Sequence, residues 1–310
     1  MKTTPADLPT ATEPQPHSAE WFGAQRDFWW HRDFLDLMAR RWRLSEASSL
    51  ADIGCGLCHW SRLLYGYLHP PSRFAGVDKE VRWVTEAPQH FRRAFPAVSS
   101  NLLSFQQGDA TCLPLPDNSF EVVICQTLLM HLPSPLDALR EMLRILRPGG
   151  LLLCVEPNNL WNHLAFTSLT AEESVEAIVR RFDFWLRCHR GRLAGGRGNH
   201  SIGDLLPGYF AQLGVTEITA HQSDHVAAFF PPYNTIEQEA LLQQERQWKN
   251  SPTGPWNREE LRTLFLVGGG TAEVFGNLLE HFSREQAAIA AGTFHAAYGG
   301  IHYLVSGRKN

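Results

Sequence analysis

"ADIGCGLCHW", residues 51–60, decides the fold, and it carries two overlapping patterns. Cys55, Cys58 and His59 spell C-x-x-C-H, which in an exported chain signals covalent c-type haem. Asp52, Gly54 and Gly56 spell D-x-G-x-G straight after a short apolar run, which signals a ligand-cradling loop at the end of a buried strand. Glycines there lack the side chains that would keep backbone N–H groups away from a ligand. The rest of the chain separates the two readings.

The 310 residues suffice for one large domain or a domain with a sizeable insertion. Hydrophobic residues make up 44% and charged residues 19%, as in ordinary globular proteins. A net charge of −4 supplies no basic field to draw nucleic acid. Residues 1–18, rich in Pro and Thr, read as a disordered tail. No apolar stretch follows Lys2 as a signal peptide requires, and no window is apolar for long enough to span a bilayer. The expectation is a cytoplasmic protein with no membrane attachment. Haem attachment belongs to oxidising compartments. The six cysteines are scattered, with no second C-x-x-C and no His pair at zinc-finger spacing. Cys55 and Cys58 are therefore expected to be small fillers of a tight loop, with no metal bound.

Working outward, apolar strand-like runs occur at 49–54, 73–78, 102–109, 120–125 and 151–156, with helical periods between them at 57–68, 80–95 and 134–150. Ser134 and Pro135 are placed to open the last of these helices. Leu136, Leu139, Leu143 and Leu146 make its stripe, and Pro148, Gly149 and Gly150 end it. Alternation with short connections implies βαβ units, a parallel sheet and helices on both faces. With strands at 215–221 and at the C-terminus, the fold class is α/β: a Rossmann-like, mostly parallel seven-stranded sheet with helical cap insertions.

The expected organisation is a helical lid over 19–45 and a core over 46–157, completed by 201–222 and 300–310. Helical insertions at 158–200 and 223–299 interrupt it. Thr170 and Glu173 are placed as a capping box for a helix to about Arg187, followed by a Gly- and Arg-rich loop.

In an open parallel sheet, ligands bind outside the carboxyl ends of the strands. Asp78 ends the second strand, 24 residues after Gly54, where a carboxylate accepts hydrogen bonds from a ribose diol. Asp109 ends the third, and with Ala110 it can pair with an adenine edge. Gln126 and His131 follow the fourth strand, and Glu156 ends the fifth. A nicotinamide-dinucleotide fingerprint needs a small residue where this chain has His59, and no Lys-Ser or Lys-Thr pair supplies a P-loop.

"LADIGCG", "VDKE", "GDATCLPLPDNSFEVVICQTLLMHLPSP" and "LREMLRILRPGGLLLCVEPN" together resemble successive motifs of class I S-adenosylmethionine-dependent methyltransferases. The resemblance is closest to the ubiquinone/menaquinone-biosynthesis-like, small-molecule branch and covers about residues 48–158. One departure is Cys58, where many members carry a third glycine. The resemblance implies S-adenosyl-L-methionine as cofactor. Asp52, Gly54, Cys55 and Gly56 would embrace its methionine end, Asp78 its ribose, and Asp109 and Ala110 its adenine, with Lys79 also among the cofactor-binding residues. Gln126 would lie near the amino acid moiety.

A general base is needed only if the acceptor must lose a proton. His131, Glu156 and His295 are the catalytic candidates, with Tyr298 near the last. Trp29, Trp30, Tyr233 and Tyr298 are candidates for an apolar acceptor pocket, with Phe229 and Phe230. The cluster Arg180, Arg181, Arg187, Arg190, Arg192 and Arg197 is read as a solvated face, with an anionic acceptor as the second reading. "FFPPY" (229–233) is in the wrong place for a base N-methyltransferase, and Cys125 follows Ile124 rather than proline. The expected partner is a small-molecule acceptor, with no nucleic acid. Nothing in the sequence fixes an oligomeric state. The competing readings are a nicotinamide-dependent oxidoreductase and a non-catalytic S-adenosylmethionine-binding module.

Overall fold

The computed structural model describes residues 23–250 and 257–310, so the expected tail over 1–18 lies outside the described residues. The central sheet has seven strands: β1 Ser49–Ile53, β2 Arg73–Asp78, β3 Leu103–Gln107, β4 Phe120–Gln126, β5 Leu146–Asn158, β6 Thr216–Gln222 and β9 Ile301–Arg308. Their order is β3-β2-β1-β4-β5-β9-β6. β1 pairs in parallel with β2 and β4, β2 with β3 and β4 with β5, while β6 and β9 are antiparallel.

All of β1 is buried, and Val122 to Cys125 and Leu151 to Val155 are at most 3% exposed. That is why these stretches read as unbroken apolar runs rather than alternating ones: helices cover both faces. Helices α1 Arg32–Trp42, α2 His59–Leu64, α3 Val81–Ala94, α4 Pro135–Ile145 and α6 Leu206–Gln212 belong to this core.

Helix α4 ends at Ile145, and β5 begins at Leu146, earlier than the predicted stop at 150. Its buried face is Ala138, Leu139, Met142 and Ile145, with Leu136 and Leu143 partly buried. Ser134 holds the N-cap position without a side-chain bond.

The chain divides into two compact units. The core unit comprises 30–157, 201–224 and 302–310. The second comprises 158–200, 225–301 and the segment up to Trp29. The boundary falls between Trp29 and Trp30, inside the stretch expected to form one lid. The reason is local: Trp30 is buried, with its ring 4.9 Å from Trp60 and stacked on Phe34.

The second unit contains α5 Val175–Ala194, α7 Ile236–Asn250, α8 Arg258–Val267 and α9 Ala272–Ala290. Ser174, not the expected Thr170–Glu173 box, caps α5 by accepting from Ala177 N. Thr170 Oγ1 instead accepts from Thr167 N, and Glu173 pairs with Arg181. Helix α5 runs through Gly191, which the sequence places in a loop. A Cβ on Gly191 would lie 2.0 Å from Leu264 O, and one on Gly268 would lie 2.0 Å from Arg187 O. Glycine at both contacts lets α5 and α8 approach backbone to backbone. The unit also has an unexpected two-stranded ribbon, β7 Ala227–Phe229 with β8 Ala296–Tyr298, too short to give a sequence period.

Candidate active site

β1 is the topological switch point. The chain builds β2 and β3 on one side of it, then crosses to build β4 and β5 on the other. The crevice outside its carboxyl end is where such sheets bind ligands. There the backbone turns through left-handed conformations at Gly54 (φ +69°), Gly56 (φ +47°) and Cys58 (φ +60°). Gly54 N and Cys55 N donate to Val77 O at 2.8 and 3.1 Å, and Cys58 N donates to Cys55 O at 2.7 Å. These bonds fasten the loop to β2 and fold it into a turn. Cys58, fully buried, holds a left-handed position that glycine occupies without a Cβ penalty, so its place at the commoner third glycine has a backbone reason. A Cβ on Gly54 would lie 2.8 Å from Leu128 Cδ1, so the loop after β4 closes against this one.

Asp78 sits at the end of β2, 8% exposed. Its Oδ2 accepts from Gly56 N at 2.9 Å and its Oδ1 from Glu80 N at 3.0 Å. Burial raises its pKa against these donors. The carboxylate therefore braces the glycine loop, and each oxygen keeps a second lone pair for a ligand hydroxyl.

Asp109 is more exposed. Its Oδ1 accepts from Thr111 N at 2.9 Å and Thr111 Oγ1 at 2.7 Å, and its Oδ2 lies 3.4 Å from Lys79 Nζ. Those bonds, the backbone one first, lower its pKa. Ala110 beside it is buried. Gly108 N donates to Asp78 O at 2.9 Å, joining the β2 and β3 loops. Asp52 (2% exposed) is the penultimate residue of β1, and Gln126 (7% exposed) ends the neighbouring β4.

Glu156, one of the catalytic candidates, accepts hydrogen bonds from loop backbone. It is fully buried; Oε1 takes Leu128 N at 2.9 Å and Leu129 N at 2.7 Å, and Oε2 takes Met130 N at 3.2 Å. Burial pushes its pKa up to about 7, with the three donors opposing. The turn Leu129–His131 that it holds carries His131, which is exposed.

The remaining candidates are not brought to this crevice by the core unit. Trp30 is a packing residue against Trp60 and Phe34. Trp29 is half-buried, donates to Gln25 and lies under the Arg26 guanidinium. Tyr233 is buried in the second unit, 4.7 Å from Phe229, with its hydroxyl donating to Phe294 O at 2.7 Å, so it serves packing. His295 is exposed in the second unit, and its backbone exchanges hydrogen bonds with Ser168. The Tyr298 side chain lies outside the described residues.

Several of the clustered arginines pair internally: Arg181 with Glu173, Arg187 with Asp183, and Arg197 with Glu260. Among the described residues, no three His, Cys, Asp or Glu side chains are placed to share a metal ion, and all six cysteines are free. Sequence reasoning missed Thr127 and Leu128. Thr127 (φ +50°) is a β-branched residue in a left-handed turn, which its residue type argues against.

The crevice fits a nucleoside with an amino acid tail. Asp78 keeps lone pairs for hydroxyl donors beside the glycine loop, and Asp109 with Ala110 lies one strand further along. The sequence profile of the family described as "Methyltransferase domain" matches residues 51–154. Demethylmenaquinone methyltransferase of Listeria welshimeri is 28% identical over 127 residues, which are 41% of this chain and 50% of that protein. Its namesake in Geobacillus stearothermophilus is 27% identical over 132 residues, 43% and 53% of the two chains. The chain thus spans about half the length of the curated relatives it matches. A putative methyltransferase structure from Bacillus halodurans superposes with a TM-score of 0.51 at 17% identity, covering 89% of this chain and 99% of that one, a likeness of fold. Residues 51–154, which hold the glycine loop and Asp78, are thus similar to a methyltransferase domain, and the curated relatives matched over that stretch are demethylmenaquinone methyltransferases.

Proposed function

We propose that this protein transfers the methyl group of S-adenosyl-L-methionine to a small-molecule acceptor. The observation that carries the reading is the clamp of Gly56 N on Asp78, at the switch point of the sheet. The bound cofactor would supply an electrophilic methyl on a sulfonium. Asp52, Gly54, Cys55, Gly56 and Gln126 are the residues that would hold its amino acid end. Asp78 and Lys79 would hold the ribose, and Asp109 with Ala110 the adenine.

Displacement at that carbon is in line, so the protein's contribution is to hold the acceptor at the right angle and exclude water. With Glu156 engaged by three amides, His131 is the base candidate left on the core unit, for an acceptor that must lose a proton. The name of the matched relatives, demethylmenaquinone methyltransferase, supports a small-molecule acceptor; a cytoplasmic setting without nucleic acid is part of the same proposal. Among the described residues no helix is long and apolar enough to cross a membrane.

We assign acceptor choice to the second unit, which lies outside the matched stretch 51–154. Within it, Phe166, Phe229, Phe230, Ser168 and His295 line an open, mostly apolar cleft of about 480 Å³, in the size class of small-molecule pockets. The test is calorimetric titration of the full chain with S-adenosylhomocysteine and with NAD. Turnover of labelled S-adenosylmethionine over a quinol and metabolite panel follows. One S-adenosylhomocysteine per chain with no NAD binding is expected. NAD binding in its place overturns the reading, and cofactor binding without turnover on any acceptor favours a binding module.

A further inference from the structure

We propose that Glu156 is a positioning residue for the cofactor site: its carboxylate fills the backbone nest of residues 128–130 and fixes the turn whose Leu128 packs on Gly54. The inference rests on the methyltransferase reading, because it assigns Glu156 to the cofactor crevice of that enzyme.

Four consecutive amides after β4 are all tied to β5. Thr127 N donates to Val155 O at 2.8 Å, and the next three donate to Glu156. Thr127 is left-handed (φ +50°) and Leu128 right-handed (φ −102°, ψ −53°). Successive N–H groups in such a turn converge into an anion-binding concavity. Here the group that fills it belongs to the protein: the oxygens of the Glu156 carboxyl. Leu129 is fully buried and Met130 8% exposed, so water does not substitute readily for the carboxylate. The Cys125 thiol, 4.0 Å away, also donates to Oε1.

On the far side of the turn, Leu128 Cδ1 lies where a Gly54 Cβ would be 2.8 Å away. The path is short and physical: Glu156 carboxylate, Leu128–Met130 amides, Leu128 side chain, glycine loop. A base needs a lone pair open to the acceptor. This carboxylate spends its oxygens inside the scaffold, so its effect on the reaction passes through the loop.

The test uses full-length Glu156→Gln and Glu156→Asp beside the wild type. Glutamine keeps one carbonyl oxygen but opposes Met130 N–H with an amide donor; aspartate keeps the carboxyl group but is one methylene shorter. Expected in Glu156→Gln is faster hydrogen exchange at residues 128–130, with residues 50–53 unchanged. S-adenosylhomocysteine affinity should fall about tenfold, with partial recovery in Glu156→Asp. A folded Glu156→Gln variant with a lower melting temperature but wild-type affinity overturns the proposal, since a merely structural role predicts that split. So does unchanged exchange at 128–130. Should Glu156→Gln not fold, Glu156→Asp decides alone: wild-type affinity and exchange in it overturn the proposal. A wild type that binds no S-adenosylhomocysteine instead overturns the underlying methyltransferase reading.

Discussion

Gly56 and Asp78 lie 22 residues apart in sequence, yet the amide of one donates to the carboxylate of the other at 2.9 Å inside the protein. The other oxygen of Asp78 takes the amide of Glu80, which precedes the helix after β2. One side chain therefore couples the loop after β1 to the start of α3. It ties the shape of the glycine loop to the group proposed to hold the ribose. Asp78→Asn would keep one carbonyl acceptor and set an NH₂ donor against one of the two amides. Cofactor affinity is expected to fall by about tenfold or more, on the order of 1.4 kcal/mol, with the sheet intact. Calorimetry with S-adenosylhomocysteine beside circular dichroism checks this, and unchanged affinity would exclude the clamp.

The glycine loop itself tolerates little. Gly56→Val forces a β-branched residue to φ +47°, and Gly54→Ala adds a methyl 2.8 Å from Leu128 Cδ1 at φ +69°. Leu128 is a flexible side chain and can move, but the backbone of Gly56 has no such release. Gly56→Val is expected to lose about tenfold or more in S-adenosylhomocysteine affinity, and Gly54→Ala less. The reverse order would show that contact, not backbone strain, limits the loop.

Cys58→Gly tests the C-x-x-C-H reading and the backbone argument together. Removing the side chain relieves a left-handed penalty of about 1–2 kcal/mol. It also gives the unfolded chain roughly 0.5–1 kcal/mol of extra backbone freedom and deletes a fully buried thiol. These terms nearly cancel, so stability and cofactor affinity should stay close to wild type. The purified wild type should show no Soret band and no stoichiometric zinc. Haem absorbance, or loss of binding in Cys58→Gly, would reinstate a role for the thiol.

Glu156 should leave a mark on stability against pH. Burial raises its pKa from the ordinary 4.5 to about 7, so the fold favours the protonated form. Its contribution is then fully present below about 4.5 and is lost as pH rises through about 7. Asp78, also raised by burial, acts with the same sign. Asp109, lowered by its bonds to Thr111, acts oppositely and only toward acid. Urea midpoints should decline between about pH 5 and about pH 8 in the wild type, and decline less in Glu156→Gln. Parallel pH profiles for the two proteins would contradict the raised value.

What was legible in the sequence was whatever leaves a one-dimensional trace. β1, β4 and β5 showed as apolar runs because both faces of the sheet are covered, and Asp78 and Asp109 stood out as the acidic residues at the ends of the strand-like runs of β2 and β3. The partners of these residues were not legible. Nothing near Gly56 announces its bond to Asp78, and nothing in "CQTLLM" says that Thr127 turns left-handed or that three amides after it converge on Glu156. Helix α5 ran past its predicted end because Gly191 looks like a breaker until Leu264 is seen against it. Aromatic composition failed in the same way: Trp29, Trp30 and Tyr233 read alike in sequence, and only packing separates them.

That separation gives the last prediction. Trp30 is 8% exposed, with its ring 4.9 Å from Trp60, 6.2 Å from Phe34 and 6.5 Å from His302. Trp60 lies in the first turn of α2, directly behind the glycine loop, so Trp30 supports the scaffold beneath the site. Trp30→Ala empties a large buried volume and is expected to cost about 3–5 kcal/mol. Trp30→Phe should cost much less. It retains an aromatic ring, and it removes an indole N–H that is buried with no hydrogen-bond acceptor among the described residues. Trp29 is only half-buried, and its ring lies 5.3 Å from the Arg26 guanidinium, an interaction of about 0.5–1 kcal/mol at such a site. Trp29→Ala should therefore destabilise the protein by roughly that amount. Urea unfolding of the three variants, followed by circular dichroism, reads the difference. Equal small losses for Trp29→Ala and Trp30→Ala would return Trp30 to the acceptor pocket and remove it from the core.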